Sequence, residues 1–268
     1  MRTTVRESGE GVKSVLQALD VMELISGRDA GVGFVEIRAE LGLAKSSLHN
    51  VLRTLELRGW IVQDPDERLY RVGVRCWEAG QAFIRGFDLA SEGLPYLEAA
   101  RRDLDETVQL SVLDGRENVY IAKVEADHPL RLVSAVGSRL PAHATGLGKA
   151  LLAGLDDEQV LALMDGVELQ PFTERTIVDR DDLLARLAEI RARGYAEDHG
   201  EYTPGVYCIA VPVKDGRGET VAAISSSVPE VRVSERTRAR MIEVLSEQAR
   251  SFSTVLGQRG VEAPAPAS

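Results

Sequence analysis

The chain has 268 residues, 44% hydrophobic and 28% charged, enough for one large or two ordinary domains with a sizeable core. Its formal charge is −10, from 32 Lys and Arg against 42 Asp and Glu, which at first sight argues against a polyanionic partner. The charge is unevenly spread: residues 1–75 carry 11 basic and 11 acidic side chains, so the whole surplus lies beyond them. Cys76 and Cys208 stand far apart with no CxxC or Cys/His ladder, which excludes a disulfide framework or zinc finger and suits a reducing cytosol. The start has no apolar run, and no stretch approaches the roughly 18 to 20 apolar residues of a membrane span, so neither secretion nor insertion is expected.

Residues 1–11 read as a flexible start. Val12, Val15, Leu16, Leu19, Met22 and Ile25 then recur at helical spacing, predicting a helix over 12–26 with that stripe inward and Gly27 as its stop. A short helix at 34–40 (Phe34, Ile37, Leu41 inward), a corner at Gly42-Leu43 and a third helix over 44–58 follow. Leu48, Val51, Leu52 and Leu55 form the third helix's inward face. Two helices joined by a tight Gly-containing turn make a helix-turn-helix. Trp60 to Gln63, a turn at 64–67 and Arg68 to Gly73 then read as a β-hairpin, a wing carrying Arg68 and Arg71. Lys45, Ser46, Ser47, His49, Asn50 and Arg53 gather on the outward face of the third helix. Lys and hydroxyls at a helix start suit phosphate, while Asn and Arg suit adenine and guanine edges in the major groove. The same helices and hairpin also build winged modules that only bind proteins.

Residues 74–91, with Val74, Trp77, Phe83, Phe87 and Leu89, read as a linking helix whose aromatic side is either core or a contact between copies. Beyond it the pattern predicts a helix at 95–106, strands at 107–113, 118–125 and 130–136, and helices at 145–155, 156–164 and 180–193. Strands at 206–213 and 219–227 flank the turn at 215–218, and a last helix runs over 234–256, giving an α+β domain over 92–257. Residues 258–268, ending Ala-Pro-Ala-Pro-Ala-Ser, read as a disordered tail.

His143-Ala144-Thr145-Gly146-Leu147-Gly148-Lys149-Ala150 contains a Gly-Lys pair, but His143 and Ala150 occupy the places where a phosphate-binding loop needs Gly and Ser or Thr. Nucleotide hydrolysis is therefore excluded. Thr145 can cap a helix beginning near Gly146, whose free amides attract a small anion unless the cap simply stands empty. Alternation puts Val206 and Cys208 on one strand face and Ser225 and Ser227 on one face of its hairpin partner. Such hydroxyls line a polar pocket or bond a neighbouring backbone.

Over about residues 12–257 the sequence resembles the IclR family of bacterial transcriptional regulators. The resemblance rests on Val12 to Leu19, Leu41 to His49, Leu52 to Gly59 and the motifs of the later half. Asn50 departs from it, standing where the family commonly has Arg, as does Gly33-Phe34-Val35, where a Ser or Thr cap is usual. The resemblance implies an N-terminal winged helix-turn-helix over 12–73, a linker helix and a GAF/PAS-like effector-binding domain. It implies an effector pocket lined by Leu132, Leu140, Gly146, Leu147, Asp198, Val206, Cys208, Ser225 and Ser227. There a small organic acid has its carboxylate held by the Gly146 and Leu147 amides with Ser225 and Ser227, while Asp198 accepts from a ligand hydroxyl. Palindromic double-stranded operator DNA, a homodimer or dimer of dimers, and repression of catabolic genes complete the expectation, with no metal and no cofactor. Two other readings stay open: a regulator with zinc held by Cys208, His143, His199 and Asp198, and an enzyme with Cys208 as nucleophile and His143 or His199 as its base.

Overall fold

The computed structural model describes residues 11–86, 89–127 and 135–259, and the chain divides into two compact units after Gly86. The expected flexible start and disordered tail lie almost wholly outside the described residues.

In the first unit α1 (Lys13–Ser26), α2 (Phe34–Leu41) and α3 (Lys45–Leu57) pack on a small sheet of β1 (Val32–Gly33), β2 (Ile61–Gln63) and β3 (Leu69–Val72). β3 lies between the other two and runs antiparallel to both. The core is Val21, Ile25, Val32, Ile37, Leu48, Val51, Leu52, Ile61 and Tyr70, each at most 8% exposed. Gly42 turns the chain between α2 and α3 with φ +63°, a left-handed conformation that costs a side chain. At the foot of the wing a Cβ on Gly73 would lie 2.2 Å from the Gly59 carbonyl oxygen, so the hairpin closes only on a glycine.

The expected inward stripe of α1 needs correction. Val12, Val15, Leu16 and Leu19 are 40–68% exposed, whereas Met22 and Ile25 are covered as expected, together with Ala18 and Val21. The head is only deep enough to cover the second half of the helix, so an apolar stripe remains uncovered.

The expected linking helix over 74–91 is described up to Gly86. α4 covers Val74–Gly86, with Val74 66% and Trp77 65% exposed. Phe87 and Asp88 lie outside the described residues, and Leu89 opens the next helix as a buried side chain of the second unit. That helix, α5 (Leu89–Leu104), starts before the expected residue 95 because Pro95, a residue that usually marks a first turn, sits inside it.

The remaining elements of the second unit are β4 (Val108–Asp114), β5 (Glu117–Val124), β6 (Arg139–Pro141), α6 (Gly146–Leu152), α7 (Asp157–Leu163), α8 (Arg180–Arg193), β7 (Ala196–His199), β8 (Val206–Lys214), β9 (Thr220–Pro229) and α9 (Glu235–Arg259). Among the described residues these strands make one antiparallel sheet in the order β6-β5-β4-β9-β8-β7. The expected strand at 130–136 falls mostly on residues outside the description, and Ala135 and Val136 are not in a strand. β6 and β7 were not foreseen.

Alternation along the strands sorts side chains between two helical layers. Tyr207, Ile209, Val211 and Val213 of β8, with Ile224 of β9, meet α5 and α9 through Leu97, Leu245 and Phe252. The intervening Ala210 of β8 and Ala223 of β9 face α6 and α8 through Leu147, Leu151 and Leu187. Each large apolar side chain buried this way stabilises the fold by about 2 kcal/mol. Small residues under α6 let its backbone approach the sheet, and that approach builds the polar site.

Candidate effector pocket and DNA interface

In the first unit α3 begins after Ala44 with no side-chain cap, leaving its first amides free of side-chain acceptors. Lys45, Ser46, His49, Asn50 and Arg53 are exposed and Ser47 half-buried, on the face opposite Leu48, Val51 and Leu52. Lys45, His49 and Arg53 join Arg68 of the wing along a groove of about 580 Å³ that Gln63, Glu56 and Glu67 also border.

Arg71, expected beside Arg68, is placed differently. Its guanidinium donates to Asp64 at 3.2 Å, Glu67 at 2.7 Å and the Ala30 carbonyl at 3.2 Å. Asp64 in turn accepts the Asp66 and Glu67 N–H groups at 2.9 Å each, and these donors hold its carboxyl below the usual range. Arg71 thus braces the turn of the wing.

In the second unit one face of the sheet collects polar groups under α6. Cross-strand register sets Asp198 of β7 beside Cys208 of β8, and Cys208 beside Ser227 of β9. Ser225 stands between Ala210 and Gln109, its hydroxyl 3.5 Å from the Gln109 side-chain oxygen. A Cβ on Gly146 would come within 3.1 Å of the Cys208 sulfur and 3.5 Å of Asp198 Cβ, so α6 starts directly above this pair. Thr145 caps α6 as expected, accepting the Gly148 N–H at 3.0 Å and donating to Asn118 Oδ1 at 2.7 Å. Leu140 and Leu147 pack in the apolar cluster alongside, and Val206 lies half-buried two residues before Cys208. Leu132 lies outside the described residues. A surface groove of about 930 Å³ opens elsewhere, along Asp157, Arg193, Lys214 and Arg250, and the expected pocket residues do not line it.

Electrostatics decide what this cluster can do. Asp198 Oδ1 accepts the Glu201 N–H at 2.7 Å, and the Gly146 amide beside it also favours the charged form. Burial nevertheless pushes the carboxyl up to about 6, against the pull of Lys149 and these donors. The Cys208 thiol, buried and next to Asp198, is pushed up to about 12, although the Ser225 and Ser227 hydroxyls lie within hydrogen-bonding reach. It is a neutral thiol near pH 7, unsuited to nucleophilic attack. His143 is lowered by burial and points Nε2 at the Gln170 carbonyl, 3.1 Å away.

The zinc reading placed His199 among the ligands with Cys208, and the cysteine-enzyme reading offered either His143 or His199 as its base. Alternation on β7 sends Asp198 to the α6 side and His199 to the other, where its ring meets Tyr207 edge-on at 4.9 Å. Among the described residues no group of three or more His, Cys, Asp or Glu is placed to hold a metal.

Three residues escaped the sequence reading of the site. Lys149 is fully buried and ion-paired with Glu201, which is itself 4% exposed. Tyr120 of β5 enters the same neighbourhood, near Asp198 and Cys208, and its hydroxyl is raised by burial. Lys149 sits within the run from His143 to Ala150 already singled out, but nothing in the spacing of Lys149 and Glu201 signals that they meet.

Comparison with known proteins agrees with these two units. The family pattern described as "IclR helix-turn-helix domain" matches residues 14–65, and "Bacterial transcriptional regulator IclR C-terminal" matches residues 81–254. The chain is 36% identical over 246 residues to the HTH-type transcriptional regulator XynR of Escherichia coli strain K12, covering 92% of this chain and 98% of that one. It is 31% identical to the HTH-type transcriptional repressor AllR of the same organism, over 92% of each. An IclR homologue from Microbacterium hydrocarbonoxydans, crystallised with 4-hydroxybenzoate, superposes with a TM-score of 0.79 at 25% identity, over 93% of this chain and 100% of that one. The chain belongs to the IclR family of ligand-responsive transcriptional regulators.

Proposed function

We propose that this chain represses catabolic or metabolic genes by binding a palindromic operator as a dimer, and that a small organic acid held under α6 changes its affinity for DNA. The observation that carries the reading is the gathering of Asp198, Cys208, Ser225 and Ser227 on one sheet face directly beneath Gly146. One buried and one half-buried hydroxyl with a buried carboxyl around a mostly apolar wall suit a small polar ligand. Leu132, Leu140, Leu147 and Val206 supply the apolar contacts, and the Gly146 and Leu147 amides help Ser225 and Ser227 hold the ligand carboxylate. The relative crystallised with 4-hydroxybenzoate supports an aromatic or other small acid, and the repressor AllR supports repression. The site binds and does not catalyse, needs no cofactor, and works in the cytoplasm where the DNA is.

Residues 12–73 form the DNA-binding head in this reading, followed by a linker, with the sensing domain extending to 257. Lys45, Ser46 and Ser47 take phosphate, His49, Asn50 and Arg53 face base edges, and Arg68 reaches the backbone from the wing. The exposed stripe of Val12, Val15, Leu16 and Leu19 on α1, with Val74 and Trp77 of α4, supports pairing with a second copy. Two heads then read two half-sites about one helical turn apart, and pairs of dimers extend the operator. The acid acts by binding one conformation of the dimer better than another. A thermal-shift screen with small carboxylic acids, followed by retardation of the DNA upstream of the gene in a salt series, tests the reading. Failure of every acid to alter DNA retention overturns it.

A further inference from the structure

Asp198 stands in the way of the ligand it is proposed to meet. Its carboxyl sits against the start of α6, where a Cβ on Gly146 would lie 3.5 Å from Asp198 Cβ, so the Gly146 amide that would greet an incoming carboxylate already faces a negative charge, and the Glu201 N–H donates to that carboxyl at 2.7 Å. Its surroundings offer no spare positive charge. Lys149 from α6 is committed to Glu201 in the turn after β7, and their side chains are 0% and 6% exposed. Cys208 on β8 and Tyr120 on β5 are both raised and stay neutral near pH 7, while Ser227 contributes only a hydroxyl. Tyr202 packs against the Phe172 ring, and His143, near Lys149 and Glu201, is lowered by burial and uncharged near neutrality. Among the described residues around it, Asp198 is left as the uncompensated charge. A second carboxylate entering beside it creates the arrangement in which two buried carboxyl groups share one proton.

We infer that an acidic effector binds together with one proton, which Asp198 takes from solvent, so that the regulator responds jointly to the acid and to pH. The inference rests on the effector reading above. Asp198 enters as a carboxylate and ends as a neutral acid, its new O–H donating to an effector oxygen, while the effector binds as its anion. Asp198 is already pushed up to about 6 by burial, so its protonation near neutrality is close at hand. An uncharged ligand of similar shape brings no second charge and draws no proton.

The test titrates the full chain with acetate, benzoate and 4-hydroxybenzoate between pH 6 and 8, by calorimetry in two buffers of different ionisation enthalpy. Asp198→Asn is run beside it, since Asn keeps an acceptor for the Glu201 N–H and imitates the neutral acid. The wild type should take up close to one proton per bound acid near pH 8, with Kd rising about tenfold from pH 7 to pH 8. Asp198→Asn should take up none and bind with one Kd throughout. Binding by the wild type with no proton uptake and no pH dependence overturns the inference while leaving the effector reading standing, as does an Asp198→Asn variant that keeps the wild-type pH profile. If no acid binds either protein at any pH, the effector reading falls and this inference with it. If Asp198→Asn does not melt cooperatively, the wild-type proton count alone decides.

Discussion

Lys149 of α6 and Glu201, 52 residues later in the turn after β7, form an ion pair buried under the polar site. The pair ties the helix above the pocket to the strand that carries Asp198. A buried charge that loses its partner is far costlier than one never buried. Lys149→Met should therefore destabilise the chain by about 3–5 kcal/mol, measured by chemical denaturation, with much of the loss recovered in Lys149→Met/Glu201→Leu. An unchanged midpoint for the single variant would show that the pair carries no such weight.

On the other face of β7, Glu197 accepts Tyr207 Oη at 2.6 Å, Arg238 Nε at 2.7 Å and Arg193 Nη1 at 3.0 Å. Burial alone would raise its carboxyl, but the hydrogen bonds from Arg238 and Tyr207 and the two guanidinium charges outweigh it and hold it at about 2. A carboxylate held below its unfolded value, 4.5, adds stability that is complete well above pH 4.5 and is lost as pH falls toward 2. Melting temperatures of Glu197→Gln should be lower than wild type at pH 7, with the gap closing as pH falls through that window. A gap that stays constant with pH would contradict the assignment.

The two wing arginines should part company. Arg68 borders the groove beside α3, whereas Arg71 is spent on Asp64 and Glu67. Arg68→Ala should lower the slope of log K against log salt for DNA binding by about 1 in magnitude. Arg71→Ala should leave that slope alone while loosening the wing. Equal changes in slope would mean that both side chains meet phosphate.

Leu16 is 40% exposed and Val15 54% exposed on a helix that carries apolar residues at the spacing of a contact face. A charge placed there, Leu16→Glu, should shift sedimentation from dimer to monomer at micromolar concentration and weaken operator retention. A dimer that sediments unchanged would move the pairing surface elsewhere.

The head was the more legible half of the chain because α3 states its fold locally. Leu48, Val51, Leu52 and Leu55 repeat at 3.6 residues, and the groups between them are all polar. The α1 stripe was equally clear as a pattern, yet periodicity says that a face is apolar and not what covers it, so Val12, Val15, Leu16 and Leu19 were assigned to the core along with Met22 and Ile25, which do lie there. β7 escaped notice because Glu197 and Asp198 put polar groups on both faces of a short strand, and the Arg238 that meets Glu197 lies 41 residues away in sequence. Ser225, Ser227, Asp198 and Cys208 came from the family resemblance together with strand alternation, and the register brings them together. Lys149 with Glu201 was invisible, since a buried ion pair is a property of the folded neighbourhood.

The division of labour between the units is tested most directly by fluorescence anisotropy of the upstream DNA, titrated with protein in the presence and absence of the acid giving the largest thermal shift. Arg53→Ala and Ser225→Ala are compared with the wild type. The account predicts that the acid changes wild-type DNA affinity, that Arg53→Ala weakens DNA binding by about 1–3 kcal/mol with the thermal shift intact, and that Ser225→Ala keeps basal DNA affinity but loses the response. Wild-type DNA affinity indifferent to every acid that stabilises the protein, or both variants impairing the same activity, would contradict it.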